Sequence, residues 1–232
     1  MSALDYTDKP IEHPTIDLAR LNSLGWVSLN VSWSCESEFR ERLYAISTGL
    51  GVPTATRPGR SLCDTLVPTK SANARARSLS KIHDFGEFPL HVDTAHWLTP
   101  CRYIVLACVQ PGYGSRATLL LDTQQVQLND SQKVLLHSAP LRVTNGQKSF
   151  FSTILSKGRP FVRFDPGCMT PTSSDGVKAL DIYSQHNSPD CVEAVHWETG
   201  KVVVLDNWRF LHGREASDCT DSDRTLLRIS II

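Results

Sequence analysis

Residues 205–214 read LDNWRFLHGR, an apolar strand followed by a polar turn and a histidine. This stretch predicts that His212 lies on a loop at the end of a strand. A matching half-site, His91-Val92-Asp93, lies far upstream. Residues two apart on an extended chain project to the same face, so His91 and Asp93 can reach one metal ion. If the fold brings both stretches together, they supply two histidines and one carboxylate, which leave half of an iron's coordination sphere open.

The last candidate strand, residues 224–232, carries two arginines on one face. With a period of two, Arg224 and Arg228 project to the same side of this strand. Arginines on an otherwise apolar strand are costly to bury unless they meet anions. Because the guanidinium fork binds a carboxylate through two hydrogen bonds, we predict that Arg224 holds the distal carboxylate of a keto-acid cosubstrate. A structural salt bridge is the alternative.

The bulk composition indicates an ordinary globular protein. The chain has 232 residues, 41% of them hydrophobic, which is enough for one large domain with a real core. Lys plus Arg and Asp plus Glu number 24 each, so charge gives no general attraction to nucleic acid or to an anionic membrane. The first sixteen residues lack a signal-peptide pattern, and the cysteines form no CxxC pair. We therefore expect a cytoplasmic protein with reduced thiols; the sequence does not indicate an oligomeric state.

The periodicity predicts a fold that is mainly β. The candidate strands are residues 25–31, 102–109, 117–121, 141–144, 160–164, 201–205 and 224–232. The candidate helices are residues 16–22, 36–48, 130–138 and 175–185, the first of them capped by Thr15. These elements predict a single domain over residues 1–232, with a double-stranded β-helix (jelly-roll) core and flanking helices (α+β). A regular α/β fold is disfavoured because strands and helices do not alternate.

Residues 54–86 differ from the rest of the chain. They are rich in Ser, Thr, Pro and Arg and have no clear hydrophobic period. Basic residues outnumber acidic ones in this segment: Arg57, Arg60, Lys70, Arg75, Arg77 and Lys81 against Asp64 and Asp84. A long irregular segment inside a compact domain is typical of an active-site lid, here over an anionic ligand. A solvated basic loop is the alternative.

The motif set resembles that of the taurine dioxygenase-like (TauD/TfdA) superfamily of Fe(II)/2-oxoglutarate-dependent oxygenases, which includes γ-butyrobetaine hydroxylase and clavaminate synthase. Residues 88–93, FPLHVD, are similar to its metal-binding H-x-D/E segment, and residues 206–214 to its distal histidine segment. Residues 114–122 resemble a glycine-threonine-acid stretch in which Thr118 is the threonine. Arg224 matches the arginine that follows the distal histidine. The resemblance runs from residue 88 to residue 228.

The resemblance implies an Fe(II)- and 2-oxoglutarate-dependent dioxygenase. His91, Asp93 and His212 would bind Fe(II), and Thr118 and Arg224 would hold the cosubstrate 2-oxoglutarate. With O2, such an enzyme hydroxylates an unactivated C–H bond and releases succinate and CO2. Halogenation is disfavoured because the halogenases of the family lack the carboxylate ligand.

Three other functions are compatible with the same residues. Desaturation, cyclisation or epimerisation would use the same ligands and cofactors. A non-catalytic jelly-roll module that binds 2-oxoglutarate is a second alternative, although such a module has no need of an open iron site. A zinc-dependent hydrolase is a third, and it is disfavoured because no general base or nucleophile pattern accompanies the triad.

The sequence predicts the substrate only as a class. The basic segment 54–86 and Arg228 favour a small anionic molecule that bears a carboxylate, such as an amino acid or a biosynthetic intermediate. Arg228 matches a second family arginine that helps to hold cosubstrate or substrate. His83 and His96 flank the metal segment and are candidate substrate contacts.

Overall fold

The computed structural model describes residues 15–74, 79–114, 116–185, 190, 192–216 and 223–232. Its helices are α1 (Leu18–Leu24), α2 (Glu36–Thr48), α3 (Leu79–His83), α4 (Asp130–Ser138) and α5 (Ser174–Ser184). Its strands are β1 (Trp26–Asn30), β2 (Pro53–Thr54), β3 (Cys63–Leu66), β4 (Phe88–His91), β5 (Tyr103–Gln110), β6 (Thr118–Asp122), β7 (Leu141–Asn145), β8 (Lys148–Ser152), β9 (Met169–Pro171), β10 (Glu193–Val195), β11 (Lys201–Asp206), β12 (Phe210–Arg214) and β13 (Thr225–Ile231). The fold is mainly β with flanking helices, as predicted.

Two antiparallel sheets form the centre of the fold. The larger sheet has the order β1-β11-β5-β13-β2, with β3 also paired to β13. The smaller sheet has the order β10-β6-β12-β4. Apolar side chains of both sheets meet in one buried cluster, in which Ile104 and Val203 of the larger sheet pack with Leu120 and Phe210 of the smaller. The two sheets are therefore stacked face to face, with a shared interior.

Helices cover the outer face of each sheet. The apolar stripe of α2 (Phe39, Leu43 and Ile46) packs with α1 against the larger sheet, as its helical spacing predicts. On the other side, α4, α5 and the strands β7 to β9 pack against the smaller sheet. Helix α4 has the predicted bounds and begins with a capping box, in which Asn129 and Gln132 exchange side-chain to backbone hydrogen bonds. No helix of the described residues is long and apolar enough to cross a membrane.

Two local predictions are wrong. Residues 160–164 form no strand; the described contact is a single bridge between Val162 and Leu155. Their apolar side chains are buried, but the segment is a connection rather than a member of a sheet. Helix α1 begins two residues later than predicted because Asp17, rather than Thr15, caps it by accepting a hydrogen bond from the backbone N–H of Arg20.

The segment 54–86 is more regular than its composition indicates. Strand β3 pairs with β13 and extends the larger sheet, and α3 lies near the end of the segment. The segment lacks a clear period because β3 is a short strand at the sheet edge, where few side chains enter the core. Arg75 and Arg77 lie outside the described residues.

One buried amide joins two distant parts of the chain. Asn207 lies in the turn between β11 and β12 and is completely buried. Its Oδ1 accepts a hydrogen bond from the backbone N–H of Asp93 at 2.9 Å. Its Nδ2 donates to the carbonyls of Asp93 and Cys101, at 3.1 and 2.8 Å. Asn207 therefore fixes the backbone of Asp93 relative to β12, the strand that carries His212.

We predict that Asn207→Ala lowers the free energy of unfolding by about 2–5 kcal/mol, because it removes three hydrogen bonds to buried backbone groups. Urea unfolding followed by tryptophan fluorescence measures this change. Asn129→Ala, which removes a helix cap at the surface, is the control, and its expected cost is about 1 kcal/mol. Equal losses in the two variants would contradict the role assigned to Asn207.

Candidate active site

Pairing of β4 with β12 places two predicted metal ligands side by side. His91 lies directly opposite His212 in the antiparallel register, and the centres of the two rings are 4.5 Å apart. The prediction that His212 lies on a loop is wrong: the turn after β11 is only three residues long, so the chain has already entered β12 of the smaller sheet at the histidine. Gly213 permits the close approach of β4, since a Cβ there would lie 2.7 Å from the carbonyl oxygen of Phe88.

The predicted metal and cosubstrate residues face the interior between the two sheets. On the smaller sheet, the neighbours of His91, His212 and Thr118 pack on the outer face. These neighbours are Leu90, Leu119 and Leu211. On the larger sheet, Arg228 and the buried Leu226 lie on the inner face of β13, and Arg224, which immediately precedes β13, lines the same cavity. The predicted period of two in the last strand is therefore confirmed.

The donor atoms of His91, Asp93 and His212 converge on one point. One donor atom from each residue lies within 4.8 Å of the others, and each residue is only 7% exposed. Oδ1 of Asp93 lies 3.6 Å from Nε2 of His91 and 3.9 Å from Nε2 of His212. These separations are too long for hydrogen bonds but suit ligands of one ion, since such donors lie about 2.0–2.2 Å from their metal. The three residues therefore have the geometry of a site for one metal ion.

The two histidines have different electrostatic surroundings. Burial lowers the pKa of His212 to about 3, so its ring is neutral at pH 7 and offers a lone pair. Burial also lowers the pKa of His91, but the adjacent Asp93 outweighs this effect and leaves the pKa above its usual value. Nδ1 of His91 lies 2.9 Å from the carbonyl oxygen of Pro89, a contact that turns Nε2 toward the site.

Asp93 is bound on its other side by an arginine. Nη1 of Arg228 donates to Oδ2 of Asp93 at 2.8 Å, and Nη2 donates to Oδ2 of Asp64 at 2.9 Å. Burial raises the pKa of Asp93, but the charge of Arg228 outweighs it and holds that pKa well below its usual range. The two oxygens of Asp93 thus have separate surroundings, with Oδ1 toward the histidines and Oδ2 toward the guanidinium.

Thr118 and Arg224 line the same cavity, which has a volume of about 1800 Å³. Thr118 is buried, and its hydroxyl oxygen accepts a hydrogen bond from Nε1 of Trp197 at 3.0 Å. Because the oxygen accepts from Trp197, the hydroxyl proton is available to donate to an anion in the cavity. Arg224 is also buried, at 5% exposure, and adds a positive charge to the cavity wall.

The two candidate substrate contacts occupy different places. His96 lines the cavity, and burial lowers its pKa. His83 is not among the described residues that line the cavity; it lies at the end of α3, and its ring packs near that of Phe88 at 6.0 Å. Asp165, a residue that the sequence did not single out, also lines the cavity and acts through its charge on His91 and His96.

The turn that follows Asp93 is held by a buried arginine. Nη1 of Arg163 donates to the carbonyls of Ala95 and Trp97, and Nη2 donates to that of Leu98 at 2.8 Å. Arg163 is completely buried, and burial lowers its pKa to about 10. It therefore fixes the loop that places His96 and Trp97 on the cavity wall.

Sequence reasoning missed the residues that support the site. Asn207, Asp64, Trp197 and Arg163 contact residues 65 to 164 positions away in the chain. No local period marks such contacts. A partial signal existed only for Asn207, which lies inside the quoted motif.

Part of the chain is similar to a known protein family. The family model for taurine catabolism dioxygenase TauD, TfdA family, matches residues 125–230. The predicted resemblance is confirmed. The match to the TauD/TfdA family includes His212, Arg224 and Arg228, whereas the upstream half-site lies before it. No curated protein sequence matches the chain significantly.

Solved structures of Fe-dependent oxygenases have the same fold. An asparagine oxygenase in complex with Fe(II), 2S,3S-3-hydroxyasparagine and succinate has a TM-score of 0.75 at 18% identity, over 93% of this chain and 78% of that chain. The non-heme iron oxygenase OrfP, in complex with Fe, succinate and (3S)-hydroxy-L-Arg, has a TM-score of 0.69 at 18% identity, over 93% and 78%. PvcB, an Fe, alpha-ketoglutarate dependent oxygenase from an isonitrile synthetic pathway, has a TM-score of 0.67 at 20% identity, over 92% and 77%.

The matched family model is that of a dioxygenase and the similar structures are Fe-dependent oxygenases, the enzyme class that the sequence predicts. Two of these similar structures hold Fe and succinate, and the His-Asp-His group of this chain agrees with the predicted Fe(II) and 2-oxoglutarate. The cytoplasmic location stays a prediction.

The hydrogen bond between Trp197 and Thr118 gives a test of the site's packing. We predict that Thr118→Val lowers the free energy of unfolding by about 1–3 kcal/mol, because the buried indole N–H loses its acceptor while the volume is nearly kept. Thr118→Ser keeps the oxygen and loses a methyl group, so it should cost about 1 kcal/mol or less. Chemical denaturation of the three proteins measures both values. A larger loss for the serine variant would contradict the hydrogen bond.

Proposed function

We propose that this protein hydroxylates an unactivated C–H bond of a free amino acid or a closely related carboxylate-bearing molecule. The observation that carries the proposal is the group of three buried donors, His91, Asp93 and His212, which face one another in a cavity beside Thr118 and Arg224. Two histidines and one carboxylate are the ligand set of Fe(II) oxygenases, because they leave positions for a cosubstrate and for O2.

The metal and the cosubstrate have separate proposed holders. His91, Asp93 and His212 would hold Fe(II). Fe(II) bound there would supply the chemistry by which 2-oxoglutarate and O2 give succinate and CO2. One oxygen atom of O2 would enter succinate, and the other would enter the hydroxylated product. Arg224 would bind the distal carboxylate of 2-oxoglutarate through its fork, and the Thr118 hydroxyl would donate a further hydrogen bond.

Amino acids are the substrate class that the cavity and the comparisons favour. The similar structures of asparagine oxygenase and OrfP hold hydroxylated amino acids. In this chain, Asp165 places a carboxylate on the cavity wall beside His96. A carboxylate there would attract the ammonium group of an amino acid, and the exposed Arg57 and Arg60 at the same cavity would attract its carboxylate.

The architecture that supports this chemistry is proposed to be one double-stranded β-helix domain over residues 1–232. The chain alternates between the two sheets from β4 to β6 and again from β10 to β13: β4, β6, β10 and β12 belong to the smaller sheet, and β5, β11 and β13 to the larger. Such alternation is typical of a jelly roll. Residues 54–69 line the cavity in large part, which supports the proposal that the segment 54–86 covers the active site.

We predict that a panel of L-amino acids, supplied with Fe(II), 2-oxoglutarate and O2, contains a substrate that stimulates succinate release. Asp93→Ala should abolish the stimulated release, because the iron loses its carboxylate ligand. Asp175→Ala, which removes an exposed carboxylate of α5, should leave it unchanged. Mass analysis of the product separates hydroxylation, a gain of one oxygen atom, from desaturation, cyclisation or epimerisation.

Two results would contradict the proposal. Turnover by Asp93→Ala would remove Asp93 from the ligand set. Tight 2-oxoglutarate binding without succinate release for any small acid or amino acid would instead favour the non-catalytic binding module.

A further inference from the structure

Arg228 has its hydrogen bonds directed at two carboxylates of this chain. Nη1 donates to Asp93 and Nη2 to Asp64, while Nε has no partner among the described residues. We propose that Arg228 is a positioning residue for the metal-binding carboxylate, and that Asp64 holds Arg228 in place. This inference rests on the proposed role of Asp93 as an iron ligand.

The geometry at Asp93 gives Arg228 a specific task. Oδ2 is engaged by the guanidinium at 2.8 Å, and Oδ1 faces the two histidine nitrogens. Holding Oδ2 stops rotation of the carboxylate about its Cβ–Cγ bond and presents one oxygen to the ion. A carboxylate that binds through one oxygen occupies one coordination position, which leaves the others for cosubstrate and O2.

Burial makes a cation beside Asp93 necessary as well as useful. The side chain of Asp93 is 9% exposed, and an ionised carboxylate at that depth is unstable without a partner. Arg228 supplies this charge before any metal binds. Groups that hydrogen-bond to a metal ligand orient it in this way, and their loss typically weakens metal binding.

Asp64 is placed by strand pairing rather than by chance contact. Asp64 of β3 is the register partner of Arg228 of β13, so the backbone ladder brings the two side chains together. Thr56 donates a further hydrogen bond to Asp64 Oδ2 at 3.1 Å. The segment predicted to be a lid thereby reaches the metal site through two successive ion pairs.

The same contacts separate the tasks of the two arginines on β13. Both terminal nitrogens of Arg228 already bind carboxylates, so a distal carboxylate of 2-oxoglutarate would compete with Asp64 and Asp93 there. Arg224 lies just before β13, earlier in the chain than Arg228, and also lines the cavity. The proposal therefore assigns the ligand Asp93 to Arg228 and the cosubstrate to Arg224.

Anaerobic titration with Co(II) tests the proposal without a substrate, because nitrogen and oxygen donors bind Co(II) much as they bind Fe(II) and its visible spectrum reports the coordination. We expect Arg228→Met to weaken Co(II) binding by about tenfold or more and to alter the spectrum, because Asp93 is no longer held. Arg224→Met is the matched control on the same strand face. It should keep the Co(II) affinity of the natural protein and weaken only the later binding of 2-oxoglutarate.

Two conservative variants keep the test decisive if Arg228→Met does not fold. Arg228→Lys retains a cation but can donate to only one carboxylate at a time, and Asp64→Asn retains the shape of the second partner without its charge. Both should weaken Co(II) binding, by less than Arg228→Met does, with thermal unfolding of the metal-free proteins close to that of the natural protein.

Natural Co(II) affinity in Arg228→Lys and Asp64→Asn would overturn the proposal. Weakened 2-oxoglutarate binding with unchanged Co(II) binding in the Arg228 variants would do so too, and would make Arg228 a cosubstrate ligand. Failure of the natural protein to bind Co(II) at His91, Asp93 and His212 would overturn the proposed function itself. This outcome differs from failure of the Arg228 proposal, in which the natural protein binds Co(II) and the variants bind it equally well.

Discussion

The antiparallel pairing of β4 with β12 is the constraint on which the rest of the site depends. It sets His91 opposite His212, and the other site residues can act on a bound metal only if they are placed correctly around these two histidines. Gly213 allows the two backbones to approach, and Asn207 fixes the continuation of β4 by three hydrogen bonds to backbone groups. Because these are backbone contacts, they hold Asp93 in place whether or not a metal is bound.

The interior between the sheets has two chemically different ends. One end is filled by apolar side chains of both sheets and stabilises the stack by burial. At the other end the inward positions carry histidines, carboxylates and arginines, which line the cavity rather than fill it. Such a region stabilises the fold little, so its residues are better explained by ligands than by packing. The pairing of Arg228 with two carboxylates is how the chain tolerates this charge in the absence of a ligand.

The parts of the fold that sequence predicted are those governed by short spacing. His91 and Asp93 reach one site, and Arg224 and Arg228 line one cavity, as their even spacing predicts, although Asp93 follows β4 and Arg224 precedes β13. Helices α2 and α4 follow helical spacing and capping. The family resemblance supplied the link between the two half-sites, which no local pattern contains. Thr118 was found in the same way.

The parts that sequence did not predict depend on contacts between distant residues. Asp64 meets Arg228, and Trp197 meets Thr118, only because strands far apart in the chain are neighbours in the sheets. Residues 160–164 have the composition of a strand, and their apolar side chains are buried, but the segment is a connection between other elements. Composition therefore predicted that these side chains are buried, but it did not predict whether the segment pairs with a strand. The loop position predicted for His212 is wrong because β12 begins only a short turn after β11, and no local pattern shows where the next strand begins.

The central claim is that His91, Asp93 and His212 hold one Fe(II) that 2-oxoglutarate can reach. Anaerobic addition of Fe(II) and 2-oxoglutarate to the folded protein tests it most directly, because the chelate of the two has a visible charge-transfer band. The account predicts that the band appears and saturates at one Fe(II) per chain. Folded protein that binds both components without the band, or that lacks Fe(II) binding altogether, would contradict the account.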